Sequence, residues 1–340
     1  MKKKRLVMLL GTICLSLMLM LSLVGACAKP APAPPKPEPI QWGLITAQPA
    51  NHDHVIFLKK FFIPEVNKRA GGELIINYLG GPEVIPVKQQ AEAVGMGVVD
   101  ISLIPAAYYR GAMTETLAYT LSRAPSPAVE RERGFYDFMD QLHQDKLNIK
   151  YLSRAIWGSI NFFTFLNIPV ETLDDFKGVG IRATPSTAPF AEKLGMSPVA
   201  LPHAEAFPAI ERGVVQGIMT TWSSFYGHGY AEVASYMVDH SYYRGNSIVQ
   251  VNLDSWNQLP AHLQDLLMEV VLELEAKASD YFDGLVEPQV QEMTEKWGLT
   301  KIKLPPAEAE QYLDMAYDAQ WEAMEIDSAT KAKLREFLKP

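Results

Sequence analysis

Residues 176–222 read FKGVGIRATPSTAPFAEKLGMSPVALPHAEAFPAIERGVVQGIMTTW, and the alternation of short β-rich runs with helical patterns predicts strand, helix, strand, helix, strand, with turn signals between them. Lys177-Gly178 is a turn, and residues 179–183 form a strand whose only charge is Arg182, near its C-terminal end. Thr184-Pro185 then reads as a helix start, with Thr184 as N-cap and Pro185 at the first helical position. A cation at a strand end beside a helix N-terminus is an arrangement for receiving an anion.

Working outward, the chain of 340 residues is long enough for two lobes with separate cores. Its first residues belong to neither. Lys2, Lys3, Lys4 and Arg5 precede an apolar run over 6–24, followed by Gly25, Ala26 and Cys27, the pattern of a secretory signal. Val24-Gly25-Ala26-Cys27 resembles the lipobox of bacterial lipoproteins, in which the cysteine is lipidated and becomes the mature N-terminus; an uncleaved anchor of the same topology is the alternative. Residues 28–39, AKPAPAPPKPEP, form an extended tether to a membrane. Of the two cysteines, Cys14 lies in the signal and Cys27 is the lipidation site, which leaves none for disulfides, thiolate chemistry or cysteine-ligated zinc. A formal net charge of −8 speaks against a nucleic-acid partner. No later apolar run approaches the ~20 residues needed to span a bilayer.

From residue 40 the pattern is βαβ: a strand at 41–47, a phenylalanine-rich helix kinked at Pro64, a strand at 73–79, a helix at 86–95 and a strand at 98–104. This predicts a mostly parallel sheet with helices on its faces. An amphipathic helix over 129–146 and crossing strands at 149–157 and 160–166 carry the chain into a second lobe. GVVDISL at 97–103 and GVVQGIM at 213–219 occupy the same place in a βαβ unit, as expected of two similar lobes. A strand at 247–253 returns to the first lobe, and a helical pattern over 259–294, interrupted near Gly284 and Pro288, precedes a short strand and a last helical stretch. The expected division is a signal at 1–26, a tether at 27–39, lobe I at 40–158, lobe II at 159–249, and a return strand with C-terminal helices at 250–340. Two crossings between two lobes make a hinge.

Over about residues 40–320 the chain resembles the solute-binding proteins of tripartite ATP-independent periplasmic (TRAP) transporters. The resemblance is carried by Gly71-Gly72-Glu73, by EAVGMGVVDISLIP, by LDDFKGVGIRATPS, by AFPAIERGVVQG and by DSWNQLPAHLQDLL. It implies an α/β, two-lobed, Venus-flytrap fold, capture of a small organic carboxylate between the lobes, no catalysis, and delivery to a membrane permease of small and large subunits. It places the family's carboxylate-binding arginine on Arg182 and a second arginine position on Asn161. Thr220 falls where an asparagine often supports the carboxylate, and Trp222 on a pocket tryptophan of some branches. Thr221 stands where those branches carry a metal-coordinating glutamate, so no metal or other cofactor is expected.

The residues themselves bear on these roles. Arg182 lies at the strand-end crevice where open α/β sheets bind ligands; its alternative is an ion pair with Asp174, Asp175 or Glu192. Trp222 follows a strand directly, offering an apolar wall or ordinary core. Tyr108 and Tyr109 follow the equivalent first-lobe strand, one to pack and one to reach the cleft. His52 follows the first strand at the same edge. His203-Ala204-Glu205 looks like the H-x-E of zinc deaminases, but the C-x-x-C that would complete it is missing from the exported body; G-x-S-x-G, H-E-x-x-H and a P-loop are absent too. A secreted α/β hydrolase and a ligand sensor for a membrane receptor are the alternative functions.

Overall fold

The computed structural model describes residues 38–158, 161–201 and 203–340. Cys27, the signal and nearly all of the tether lie outside the described residues. The chain runs β1 (Ile40–Thr46), α1 (Asp53–Phe61), α2 (Ile63–Arg69), β2 (Leu74–Gly80), α3 (Val87–Gly95) and β3 (Ile101–Ile104). Two 3₁₀ segments follow, Ala106–Tyr109 and Thr114–Leu121, then α4 (Pro127–Glu132), α5 (Phe135–Leu147) and β4 (Ile149–Ile156). Beyond the crossing come β5 (Phe162–Leu166), β6 (Gly180–Arg182), α6 (Ala188–Lys193), β7 (Ser197–Val199), α7 (His203–Glu211), β8 (Gly217–Thr221), α8 (Trp222–Gly227) and β9 (Tyr236–Tyr243). The last elements are β10 (Ser247–Asn252), α9 (Leu253–Gln258), α10 (Ala261–Trp297), β11 (Thr300–Ile302), α11 (Pro306–Ala323) and α12 (Ser328–Phe337).

The strands form two sheets, in the orders β2-β1-β3-β10-β4 and β11-β9-β5-β8-β6-β7. The expected parallel character holds apart from one strand in each. β10 runs antiparallel to β3 and β4, and β5 runs antiparallel to β8 and β9. These are the strands that enter each sheet from the other lobe, β5 after β4 and β10 after β9, so the crossings themselves impose the reversal.

The sequence echo is structural. β3 and β8 each lie beside the antiparallel strand of their sheet, and the residue before or at each strand start caps a neighbour in the same way. Asp100 Oδ2 accepts the Gly43 N–H at 2.8 Å, and Gln216 Oε1 accepts the Gly180 N–H at 2.8 Å. Val99 and Val215 are buried behind them. One turn chemistry thus ties the edge of the adjacent strand in both lobes.

Three apolar clusters hold the body together. One packs α1, α2 and the first half of α10 against the first sheet, with Phe57, Phe62, Leu152 and Val271 at its centre. A second packs α7, α8 and the end of α10 against the other sheet around Phe165, Trp222 and Phe225. The third covers the remaining faces of both sheets and is closed by α11 and α12 through Tyr312, Trp321 and Leu334.

Two local expectations are corrected. The helix expected at Thr184-Pro185 begins at Ala188, with Thr187 as its cap residue. Thr184 instead closes a turn in which its carbonyl accepts from the N–H groups of Thr187 (3.0 Å) and Ala188 (2.9 Å), so these donors are spent locally and do not face an anion. The long C-terminal helix is not interrupted either: α10 runs 37 residues through Gly284 and Pro288. It is pinned at both ends, which outweighs the one lost hydrogen bond and crowding at proline. Its first half is held by the first lobe, where Trp157 Nε1–H donates to Glu275 O at 2.7 Å and Arg131 pairs with the Glu275 carboxylate at 3.2 Å. Its second half is held by the second lobe, through Trp222 on Gln289 and Tyr226 on Glu292.

Candidate functional site

β6 is a three-residue strand between β7 and β8, and its pleat turns Ile181 into the core while Arg182 ends the strand at the edge facing the first lobe. Arg182 is 4% exposed. Its Nε donates to Leu201 O at 2.9 Å, which orients the guanidinium, and its Nη1 is buried without a partner. None of the acidic residues offered by the sequence pairs with it. Asp174 holds Lys177 at 2.7 Å, and Asp175 accepts from the backbone of Glu171 and Thr172. Burial pushes the guanidinium below its usual range, since removing a cation from water disfavours the charged form.

Arg182 lines a cavity of about 1320 Å³ that both lobes enclose. Tyr108 and Arg110 face it from the first lobe, and Thr184, Leu201 and His203 from the second. Arg110 Nη1 also donates across to Pro185 O at 3.2 Å. Tyr108 is 37% exposed, and its phenol titrates above the usual range through burial, partly offset by the Arg182 charge. Tyr109 packs beneath, its hydroxyl 2.9 Å from His143 Nε2. The pair therefore divides into one residue that packs and one that reaches.

His52 caps α1, its Nδ1 accepting the His54 N–H at 3.2 Å, and its Nε2 is buried without a partner. Burial first, and repulsion from His228 second, lower its pKa to about 4. His203 opens α7 and belongs to the same group: burial, then the charges of Arg182, His228 and His52, lower its pKa to about 3. Both rings are therefore neutral at pH 7. His203 stacks on His228, with ring centroids 4.7 Å apart, and His52 packs edge-on against His54 at 4.6 Å.

The other sequence-selected residues sit elsewhere. Trp222 is 2% exposed, lies against Phe165 and Phe225, and donates from Nε1 to Gln289 Oε1 at 2.8 Å. Burial raises the pKa of the Asp53 carboxyl, and the Gln289 amide partly offsets that rise. The Trp222–Gln289 bond thus ties the second lobe to the long helix. Thr221 caps α8, its Oγ1 accepting the Ser224 N–H at 3.3 Å; Thr220 is buried in β8. Asn161 accepts the Trp222 N–H on its carbonyl at 3.1 Å and lines a second cavity of about 480 Å³ with Arg123 and Arg244. In the sequence His203 reads only as half of a zinc motif; its place just after the strand that pairs with β6 is what puts it on the cavity wall. Among the described residues no group of three or more histidine, cysteine or acidic side chains is placed to hold a metal, and no helix is long and apolar enough to cross a membrane.

Residues 46–327 match the bacterial extracellular solute-binding protein family 7, DctP. The chain is 26% identical over 163 residues to the C4-dicarboxylate-binding periplasmic protein DctP of Vibrio cholerae, a match that covers 47% of this chain and 48% of that protein; it therefore spans about half the length of that relative. Among solved structures it is similar to a TRAP periplasmic solute binding protein from Marinobacter aquaeolei in an apo open form (TM-score 0.77, 17% identity, 88% of this chain and 100% of that one). It is also similar to DctP7, a Bordetella pertussis extracytoplasmic solute receptor binding pyroglutamic acid (TM-score 0.74, 17% identity, 88% and 99%). The family match spans most of the chain, and the chain belongs to the bacterial extracellular solute-binding proteins of family 7.

Proposed function

We propose that the protein is a lipid-anchored extracytoplasmic receptor that captures a small organic carboxylate between its lobes and delivers it to a TRAP permease of small and large subunits. The observation that carries this reading is Arg182: a guanidinium almost fully buried, with no ion pair and no partner for Nη1 among the described residues, in a cavity enclosed by both lobes. A buried cation without a counter-charge is costly, and a carboxylate taken by the Nη edge supplies that charge through two charge-assisted bonds. The relative named for C4-dicarboxylates and the structure with pyroglutamic acid support an acid as the solute class. Tyr108 and His52 complete the first lobe's side of the site. Trp222, Thr220 and Thr221 act by holding the wall in place, and Asn161 by fixing the crossing strand to Trp222. Cys27 carries the acyl chains and residues 28–39 tether the body.

Native mass spectrometry of the purified protein, followed by release and identification of the retained solute, tests the reading. A single carboxylic acid bound one per chain is expected. Turnover of that compound, or a retained solute without an acid group, overturns the proposal. Cys27→Ser should separately release the protein from membranes; unchanged anchoring with normal processing removes the lipoprotein assignment alone.

A further inference from the structure

Behind the wall of the cavity around Arg182, a polar contact fixes the tautomer of His203, which lines it. Tyr230 Oη donates to the His203 carbonyl at 2.9 Å and lies 3.0 Å from Nδ1 of the same residue. A phenol has a single proton, and the carbonyl can only accept, so towards Nδ1 the hydroxyl oxygen is the acceptor. The imidazole proton therefore sits on Nδ1, and Nε2 carries a bare lone pair. The ring is held in this orientation by stacking on His228, with centroids 4.7 Å apart and planes 17° apart. His52 has the reverse arrangement. Its Nδ1 accepts the His54 N–H, which places the proton on Nε2 as a donor. The cavity thus offers a donor on Arg182 and an acceptor on His203.

A carboxylate has only acceptor oxygens. It satisfies Arg182, but an acid with nothing else to give leaves the His203 Nε2 lone pair facing an oxygen lone pair. We propose that His203 is a specificity-determining residue: the protein takes acids that carry an O–H or N–H beside the carboxylate, such as 2-hydroxy acids or acids with a ring or amide N–H on the α-carbon, and discriminates against the 2-oxo or ether analogue of the same skeleton. The inference rests on the reading of Arg182 as the carboxylate anchor, which lies next to His203 through its bond to Leu201 O. Burial and the neighbouring Arg182 charge keep the ring neutral across the physiological range, so the acceptor is not lost by protonation.

Calorimetric titration of the solute-stripped full chain with matched pairs tests this: L-lactate against pyruvate, L-mandelate against phenylglyoxylate, and L-pyroglutamate against its ring-oxygen analogue 5-oxotetrahydrofuran-2-carboxylate. The donor-bearing member of each binding pair should be tighter by about ten- to a hundredfold, the range for a buried acceptor left unpaired. His203→Leu should bring the ratio to about unity. Tyr230→Phe keeps the imidazole and frees its tautomer, so the ratio should shrink with the fold intact, and it serves where His203→Leu does not fold. Arg182→Lys should weaken both members and leave the ratio unchanged. Equal binding of both members, or a ratio that survives both His203→Leu and Tyr230→Phe, overturns this inference and leaves the carboxylate reading standing. Failure of all six acids to bind overturns both.

Discussion

Replacing Arg182 by methionine separates what the arginine does for the empty protein from what it does for the bound one. The guanidinium is buried, Nη1 has no partner among the described residues, and burial has already pushed its pKa down. Removing a buried unsatisfied group relieves ~1–3 kcal/mol, while losing the Nε bond to Leu201 O returns about 1 kcal/mol. Arg182→Met should therefore match the parent or gain up to about 2 kcal/mol when solute-free, a rise of a few degrees in Tm at most for a chain of this size. Methionine fills a similar volume, so no cavity opens. With the acid present the sign reverses. Breaking a buried ion pair costs ~3–5 kcal/mol, or roughly a hundred- to a few-thousandfold in affinity at 1.4 kcal/mol per decade. At a hundred times the parent's Kd, the parent gains about 2.7 kcal/mol from ligand and the variant almost none. Melting curves of both proteins, stripped of solute and then titrated with the acid identified by mass spectrometry, should cross. If solute-free Arg182→Met is less stable by several kcal/mol, or binds the acid as tightly as the parent, the side chain is structural and the reasoning fails.

Two further predictions test the frame around the site. Gly217 opens β8 opposite Leu166, and an added methyl there would run into Phe165 O, with Leu166 Cα and Cδ2 at 2.9 Å; Gly217→Ala should cost about 2–3 kcal/mol by urea denaturation through overpacking, whereas Gly111→Ala, which meets nothing within 4 Å, should stay within about 0.5 kcal/mol of the parent. His143 is fully buried between Met139 O at 2.6 Å and the Tyr109 hydroxyl at 2.9 Å, and burial lowers its pKa to about 4. The unfolded chain takes up this proton at about 6.5 and the folded one does not, so the stability is fully present above pH 6.5 and is lost as pH falls towards 4, by roughly 2–3 kcal/mol per such residue at pH 4.5. His52 and His203 act in the same sense. Urea midpoints between pH 7.5 and 4.5 should fall steeply for the parent and less steeply for His143→Gln; equal slopes would assign the acid sensitivity to other groups.

The parts of the fold that could be read from the chain are those written in local chemistry. Residues 176–222 announce their strands and helices through turn glycines and period, and the repeated Gly-Val-Val at 97–99 and 213–215 announces two similar lobes because each copy must make the same turn and tie the same neighbouring strand. Arg182 was legible for a related reason: a lone charge at the end of an apolar strand has few structural uses. What could not be read depends on contacts distant in sequence. Thr184-Pro185 has the composition of a helix start, but the turn closed by Thr187 moves that start to Ala188. Pro288 has the composition of a break, yet the flanking anchors at Glu275, Gln289 and Glu292 keep α10 whole.

Trp222 and His203 illustrate the same limit at the site itself. A tryptophan directly after a strand fits a pocket wall and a core equally well in sequence, and only the position of Gln289, 67 residues away, turns its indole N–H inward. A histidine next to a helix start is chemically ambiguous until its tautomer is known, and the tautomer is fixed by Tyr230, 27 residues away. Sequence thus locates the buried charge of the cavity. The neutral groups that would choose among acids differ only in where a proton sits, and that is set by the folded chain. Selectivity in such a receptor should accordingly be harder to transfer than affinity: moving an arginine onto a strand end installs an anchor, whereas moving His203 without Tyr230 and His228 installs a ring with either tautomer and no preference.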